Sequence, residues 1–139
     1  MITELLTKIQ TTLESVDELG AVYDFNASRF ESYPCAVYLP QAFDNRYLTT
    51  AENLKGYRFR IRIYQEAKVK QQRAAIIEGL APTVDAVMAA FDAGWDYGTI
   101  DGHRVWTLAE QGQWGIDDSP MGELIFGDII LIINVATNN

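Results

Sequence analysis

One cysteine, one histidine and four prolines in 139 residues leave little room for several kinds of chemistry. Cys35 alone allows no internal disulfide and no cysteine-based zinc site. A solitary His103 cannot assemble a transition-metal ligand set without a second histidine or a cysteine pair, and no Cys–His dyad is proposed. It follows Asp101-Gly102 and reads as an exposed turn residue. There is no G-x-S-x-G, no Walker A sequence and no G-x-G-x-x-G, so neither a nucleophile elbow nor a phosphate-cradling loop is available. A continuous apolar run such as Ile129 to Ile133 is far short of the about 20 residues that a membrane-spanning helix needs. Met1 to Gln10 lacks the basic, apolar and small-residue order of a secretory signal, and synthesis in the cytosol without membrane insertion is expected. Basic residues are also few: 11 against 19 acidic, a formal net charge of −8 that disfavours wrapping nucleic acid.

What remains is ordinary globular composition, 48% hydrophobic and 22% charged, with no Pro/Gly/Ser-rich linker and no internal repeat. One domain over residues 1–139 is expected. Close carboxylate pairs such as Asp92 with Asp96 arise by chance among 19 acidic residues, and Asp117-Asp118 with Glu123 does not match an EF-hand and reads as a solvated acidic turn. No catalytic residue, cofactor-binding residue or metal ligand is nominated, and a non-enzymatic role is expected. Cys35 reads as a small buried hydrophobe in a strand.

The apolar residues Ile2, Leu5, Leu6, Ile9, Leu13 and Val16 recur at steps of three and four, the signature of an amphipathic helix that Gly20 would cap with positive φ. Ala21 to Phe25 and Cys35 to Leu39 read as strands, with Asn26-Ala27-Ser28 a turn and Pro40 closing the second strand. Gln41 to Gly56 shows no period and reads as a long loop carrying Phe43, Arg46, Tyr47 and Leu48. Tyr57 to Tyr64 alternates strictly between an apolar face and a face bearing Arg58, Arg60 and Arg62. Lys68 to Asp92 is helical, with a bend or break expected where Gly79 and Pro82 interrupt it. Weaker strands lie around Ile100 and from Arg104 to Glu110, joined by a hairpin signal at Asp101-Gly102. Glu123 to Val135 is apolar on both faces, and so needs cover on both faces, from this chain or a neighbour. The order gives an α+β domain: a mainly antiparallel or mixed β-sheet with an N-terminal helix and a second long helix packed on one face.

Two features bear on partners. Arg58, Arg60 and Arg62 are either the solvated side of a half-buried strand or a row of forked donors, roughly 6 to 7 Å apart, offered to carboxylates of another subunit. The tryptophans Trp95, Trp106 and Trp114 suit hairpin packing, and one of them could anchor an interface. A small ligand-binding domain built on the aromatic stretch from Trp95 to Trp114 is the competing reading from another class.

The segment Thr49-Thr50-Ala51-Glu52-Asn53, followed by Tyr57-Arg58-Phe59-Arg60-Ile61-Arg62-Ile63-Tyr64-Gln65-Glu66, resembles tail terminator and minor tail proteins of long-tailed bacteriophages. The order of elements is similar over most of the chain, with Gly79 and Pro82 departing from the family's uninterrupted helix. The resemblance implies a ring, typically a hexamer, that caps the head-proximal end of the tail tube, stops tube polymerisation and offers a surface to the head–tail connector. DNA would pass through the ring without specific binding. The implied partners are further copies of the chain, the tail tube protein and the connector; a head-side stopper or a tube-like subunit is the neighbouring possibility. The contact residues expected are Arg58, Arg60 and Arg62, with Phe43, Arg46 and Tyr47 of the loop.

Overall fold

A computed structural model describes residues 1–24, 30, 32–47, 52–67, 73–119 and 122–138. The turn expected at Asn26-Ala27-Ser28, Leu48, the first three residues of the Thr49 to Asn53 motif, and Lys68 to Gln72 at the start of the expected second helix lie outside them. The elements run α1 (Ile2–Glu14), β1 (Ala21–Asp24), β2 (Cys35–Tyr47), β3 (Glu52–Ala67), α2 (Arg73–Ala93), β4 (Asp96–Ile100), β5 (His103–Ser119) and β6 (Gly122–Asn138). The six strands form one sheet in the order β1-β2-β3-β6-β5-β4. Among the described residues only β1 and β2 pair in parallel, and the other pairings are antiparallel. The fold is α+β with a mixed sheet, as the order of elements implies.

Both helices cover the same sheet face. Leu5, Ile9 and Leu13, one helical turn apart, are fully buried on α1. Leu80, Val84, Val87 and Phe91 are buried on α2. They meet Phe59, Ile61 and Ile63 of β3 and Ile129, Leu131, Ile133 and Val135 of β6 in one core. The alternation of β3 is therefore the alternation between a helix-covered face and an open one. On β6 the odd residues from Ile129 to Val135 are buried, whereas Ile130 and Ile132 on the open side are half-buried. The second apolar face is real, and the chain's own helices do not cover it.

Several expectations change. Gln41 to Gly56 is no loop: β2 continues to Tyr47 and β3 begins at Glu52, with pairs from Phe43↔Tyr57 to Tyr47↔Asn53. Residues without an amphipathic period still form strands when a neighbour supplies the ladder, because register is set by pairing. Pro40 does not end β2 either; it sits beside a one-residue irregularity between Pro40 and Ala42, where a missing N–H is tolerated. Gly20 is not among the residues with positive φ. The helix closes at Ser15 in ordinary αR geometry. Gly20 instead sits at a close approach: a Cβ there would lie a tight 3.2 Å from the Tyr33 carbonyl oxygen, and the Gly20 N–H donates to the Pro34 carbonyl at 2.7 Å. Lastly, α2 runs unbroken through Gly79 and Pro82. By length and composition alone Ala74–Ala93 is apolar enough to cross a membrane, but here one side of it packs on the sheet.

The Asp101-Gly102 hairpin is present, with φ of +53° and +80° at its two central residues, as a two-residue turn of this hand requires. His103 is the first residue of β5, paired with Ile100 and half-buried, rather than an exposed turn residue. Beyond Glu110, where the pattern fades, β5 continues for nine more residues to Ser119.

Candidate functional site

The open face of the sheet is the candidate site, and its composition follows from register. Arg58 lies opposite Ile132, Arg60 opposite Ile130, and Arg62 opposite Asp128. Across β6, Leu108 pairs with Ile132 and Glu110 with Ile130. Across β2, Leu39 pairs with Arg60 and Val37 with Arg62. The centre of the face is thus a strip of Val37, Leu39, Ile130, Ile132 and Leu108 crossed by the arginine row. Leu108 is 52% exposed, more than a core leucine would be.

The three arginines are not equivalent. Arg58 is exposed. Arg60 is half-buried, and its Nε is shielded from solvent without a hydrogen-bond partner among the described residues. Arg62 is committed internally. It donates from Nε to Asp128 Oδ1 at 2.8 Å and from Nη2 to Oδ2 at 3.0 Å, a forked contact, and Nη1 lies 3.7 Å from Asp117 Oδ2. Its guanidinium stacks 3.6 Å over the Phe126 ring, and the Asp128 hydrogen bonds hold its pKa well above the ordinary arginine value. Tyr64 donates to Asp117 Oδ2 at 3.1 Å; burial is the largest cause raising its pKa. Phe30 packs on Tyr64 at 5.1 Å between ring centroids, so this end of the open face is closed by the chain itself.

The backbone explains how Asp117 reaches that cluster. An extra residue between Gln111 and Trp114 shifts the register from Gln111↔Ile129 to Trp114↔Gly127. Before this bulge odd residues of β5 face the helices; after it they face the open side, which re-aims Asp117 towards Arg62. Gly112 in the bulge is obligatory, since a Cβ there would lie 2.7 Å from the Asp128 Cβ and 2.9 Å from its carbonyl oxygen. Asp117 and Asp118 accordingly belong to a strand, not to the solvated turn expected of them. Trp114, 44% exposed, lies over Gly127, and Trp106 on the open face carries the Arg104 guanidinium 5.8 Å from its ring.

The residues singled out in the sequence do not share one surface. Phe43, 77% exposed, is on the helix-side face of β2, its ring 6.4 Å from Tyr57, beside an open groove lined by Ile2, Pro40 and Phe59. Arg46 and Tyr47 continue the same strand, paired with Leu54 and Asn53. Asp128, Phe126, Leu39 and Leu108 escaped sequence reasoning, and Asp117 entered it only as part of an acidic turn. Of these only Asp128 carried a signal, as an acid interrupting the most apolar strand. Among the described residues no group of three or more His, Cys, Asp or Glu side chains is placed to hold a metal ion.

Cys35 is fully buried, and burial pushes its thiol up to about 12; burial likewise pushes the Tyr97 phenol up to about 12. Both groups stay neutral in the fold where the unfolded chain ionises. Their contribution to stability is therefore present below about pH 9 and is lost as pH rises towards 12. Native protein is expected to resist alkylation by iodoacetamide at pH 8, to react after unfolding in urea, and to lose thermal stability from pH 9 upward. Rapid modification of the native thiol would contradict this.

The architecture is that of a small α+β domain with one sheet face under two helices and the other open. No protein-family model matches the chain, and no curated protein matches it. A solved structure shares the fold: a chain in the virion of a native gene transfer agent (GTA) particle, 14% identical, with a TM-score of 0.56 over 93% of this chain and 92% of that one.

Proposed function

We infer that the protein is a virion structural subunit of a phage-like particle, and more specifically a ring that caps the head-proximal end of a tail tube. In that role it stops addition of tube subunits and presents the joining surface to the head connector, while DNA passes through without specific binding. It acts by assembly and not by catalysis, is made in the host cytoplasm, and ends at the head-proximal end of the tail. The observation that carries the reading is the near full-length likeness to a chain of the GTA virion. The half-buried apolar strip on the open face supports it, because such a strip on a small domain marks a surface that another protein covers. The sequence resemblance to tail terminators supplies the finer assignment.

Native mass measurement and electron microscopy of the purified protein test it. Closed rings, of about six subunits if the family's symmetry holds, are the expected result. Added to polymerising tube protein, the rings should shorten the tubes. Long tubes formed by this chain alone would make it a tube subunit; rings that bind connectors and ignore tubes would make it a head-side stopper. A compact monomer at high concentration, inert to both, would end the reading.

A further inference from the structure

The outward side of α2 is as distinctive as the open sheet face. Leu80, Val84, Val87 and Phe91 point into the core, which turns Glu78, Pro82, Asp85, Ala89 and Asp92 to the outside, all exposed. Glu78, Asp85 and Asp92 recur every seven residues, close to two helical turns, and so form one acidic row with a step of about 10 Å. Between them stand only small or ring-closed side chains, which let a partner surface approach closely. Among the described residues, none of the three acids forms an ion pair within the chain.

The open sheet face has the opposite character. Arg58 and Arg60 stand free of ion pairs among the described residues, on a bed of Leu39, Ile130, Ile132 and Leu108. The Arg60 Nε, shielded from solvent, is a donor that no group among the described residues satisfies. Arginine stems are long enough to reconcile a step of about 7 Å on the strand with one of about 10 Å on the helix. The two surfaces lie on opposite sides of the molecule, since α2 sits between its outward row and the sheet.

We propose that these surfaces are partners: the acidic row of α2 on one copy docks across the arginine-bearing sheet face of the next. The proposal rests on the reading of the chain as a self-assembling subunit and names the two faces that join. Every sheet then has helices on both sides, its own on one and a neighbour's on the other, which is the cover that β6 requires. The contact joins unlike surfaces, so it propagates in one direction and yields a ring where the rotation between copies closes. A carboxylate partner suits the arginines better than DNA, because the net charge of −8 disfavours phosphate binding overall.

Two charge-swapped proteins test this. One carries Arg58→Glu and Arg60→Glu; the other carries Glu78→Arg and Asp85→Arg. Each alone confronts like charges and should run as a 15.6 kDa monomer. Mixed in equal amounts they restore opposite charges at both contacts and should regain assemblies of wild-type mass. Independently, Leu108→Cys with Ala89→Cys in a Cys35→Ala background should oxidise to a ladder of covalent multimers, with each single cysteine stopping at dimer or below. Wild-type assembly that persists in both swapped proteins, a mixture of folded variants that stays monomeric, or no ladder, overturns the pairing and leaves the ring reading standing. A wild-type monomer sinks both. Duplex DNA binding lost on Arg58→Glu/Arg60→Glu, with assembly intact, would assign the face to nucleic acid instead.

Discussion

Replacing Arg62 by alanine is expected to cost about 3 kcal/mol of unfolding free energy, because it strands the Asp128 carboxylate, 5% exposed, without its forked partner. The Coulombic gain of such a pair is largely offset by its desolvation; the damage lies in removing one member and leaving the other charged and buried. Asp128→Ala should be comparably harmful. Combining Arg62→Met with Asp128→Leu in one protein should recover most of the loss, since apolar side chains of similar volume need no partner. For a domain of this length about 3 kcal/mol lowers the melting temperature by roughly 10 °C. Thermal unfolding of the four proteins, followed by circular dichroism at concentrations where the chain is monomeric, measures the cycle. If Arg62→Ala melts with wild type, the cluster of Arg62, Asp128, Asp117 and Tyr64 is ornament on an already stable sheet. That cluster matters beyond stability, because it ties up one of the three arginines of the open face and leaves Arg58 and Arg60 outside the ion-pair network.

Phe59→Ala should be the most destabilising single change, at about 4 kcal/mol, the sum of lost burial and the cavity left behind. Phe59 is fully buried, it sits between Pro40 of β2 and Leu131 of β6, and it faces the helices. Its neighbour Arg58 points the other way, and Arg58→Ala should stay within about 0.5 kcal/mol in the monomer. Urea denaturation resolves the contrast: with a slope of about 2 kcal/mol per molar, the midpoint falls by about 2 M for one substitution and hardly moves for the other. Comparable losses from both would mean that β3 is buried on both sides within a single chain. Assembly should show the reverse order, with Arg58 sensitive and the change at Phe59 felt only through folding.

How much of this was legible beforehand differs from element to element. The three- and four-residue steps of α1, the alternation of β3 and the Asp101-Gly102 hairpin are local facts, written in residues that touch within a few positions. The extended arm of β2 and β3 from Gln41 to Gly56 was illegible for the opposite reason. Its strands exist because β3 pairs with β2 on one side and β6 on the other, and ladder hydrogen bonds do not depend on side-chain pattern. The same holds for β5 beyond Glu110, where a bulge reverses the alternation on which any period count relies. Pro82 reads as a break, yet α2 is continuous, because packing of Leu80, Val84, Val87 and Phe91 on the sheet outweighs a local penalty.

The sequence by itself determined the layer types, the positions of the helices and the two-sided character of β3 and β6, because those are set by side-chain periodicity along a short stretch of chain. The tertiary structure alone decided that β6 lies between β3 and β5, that Arg62 belongs to Asp128 while Arg58 and Arg60 do not, and that the acidic row of α2 faces away from the sheet. Such facts join residues dozens of positions apart, and only strand order and register bring them together.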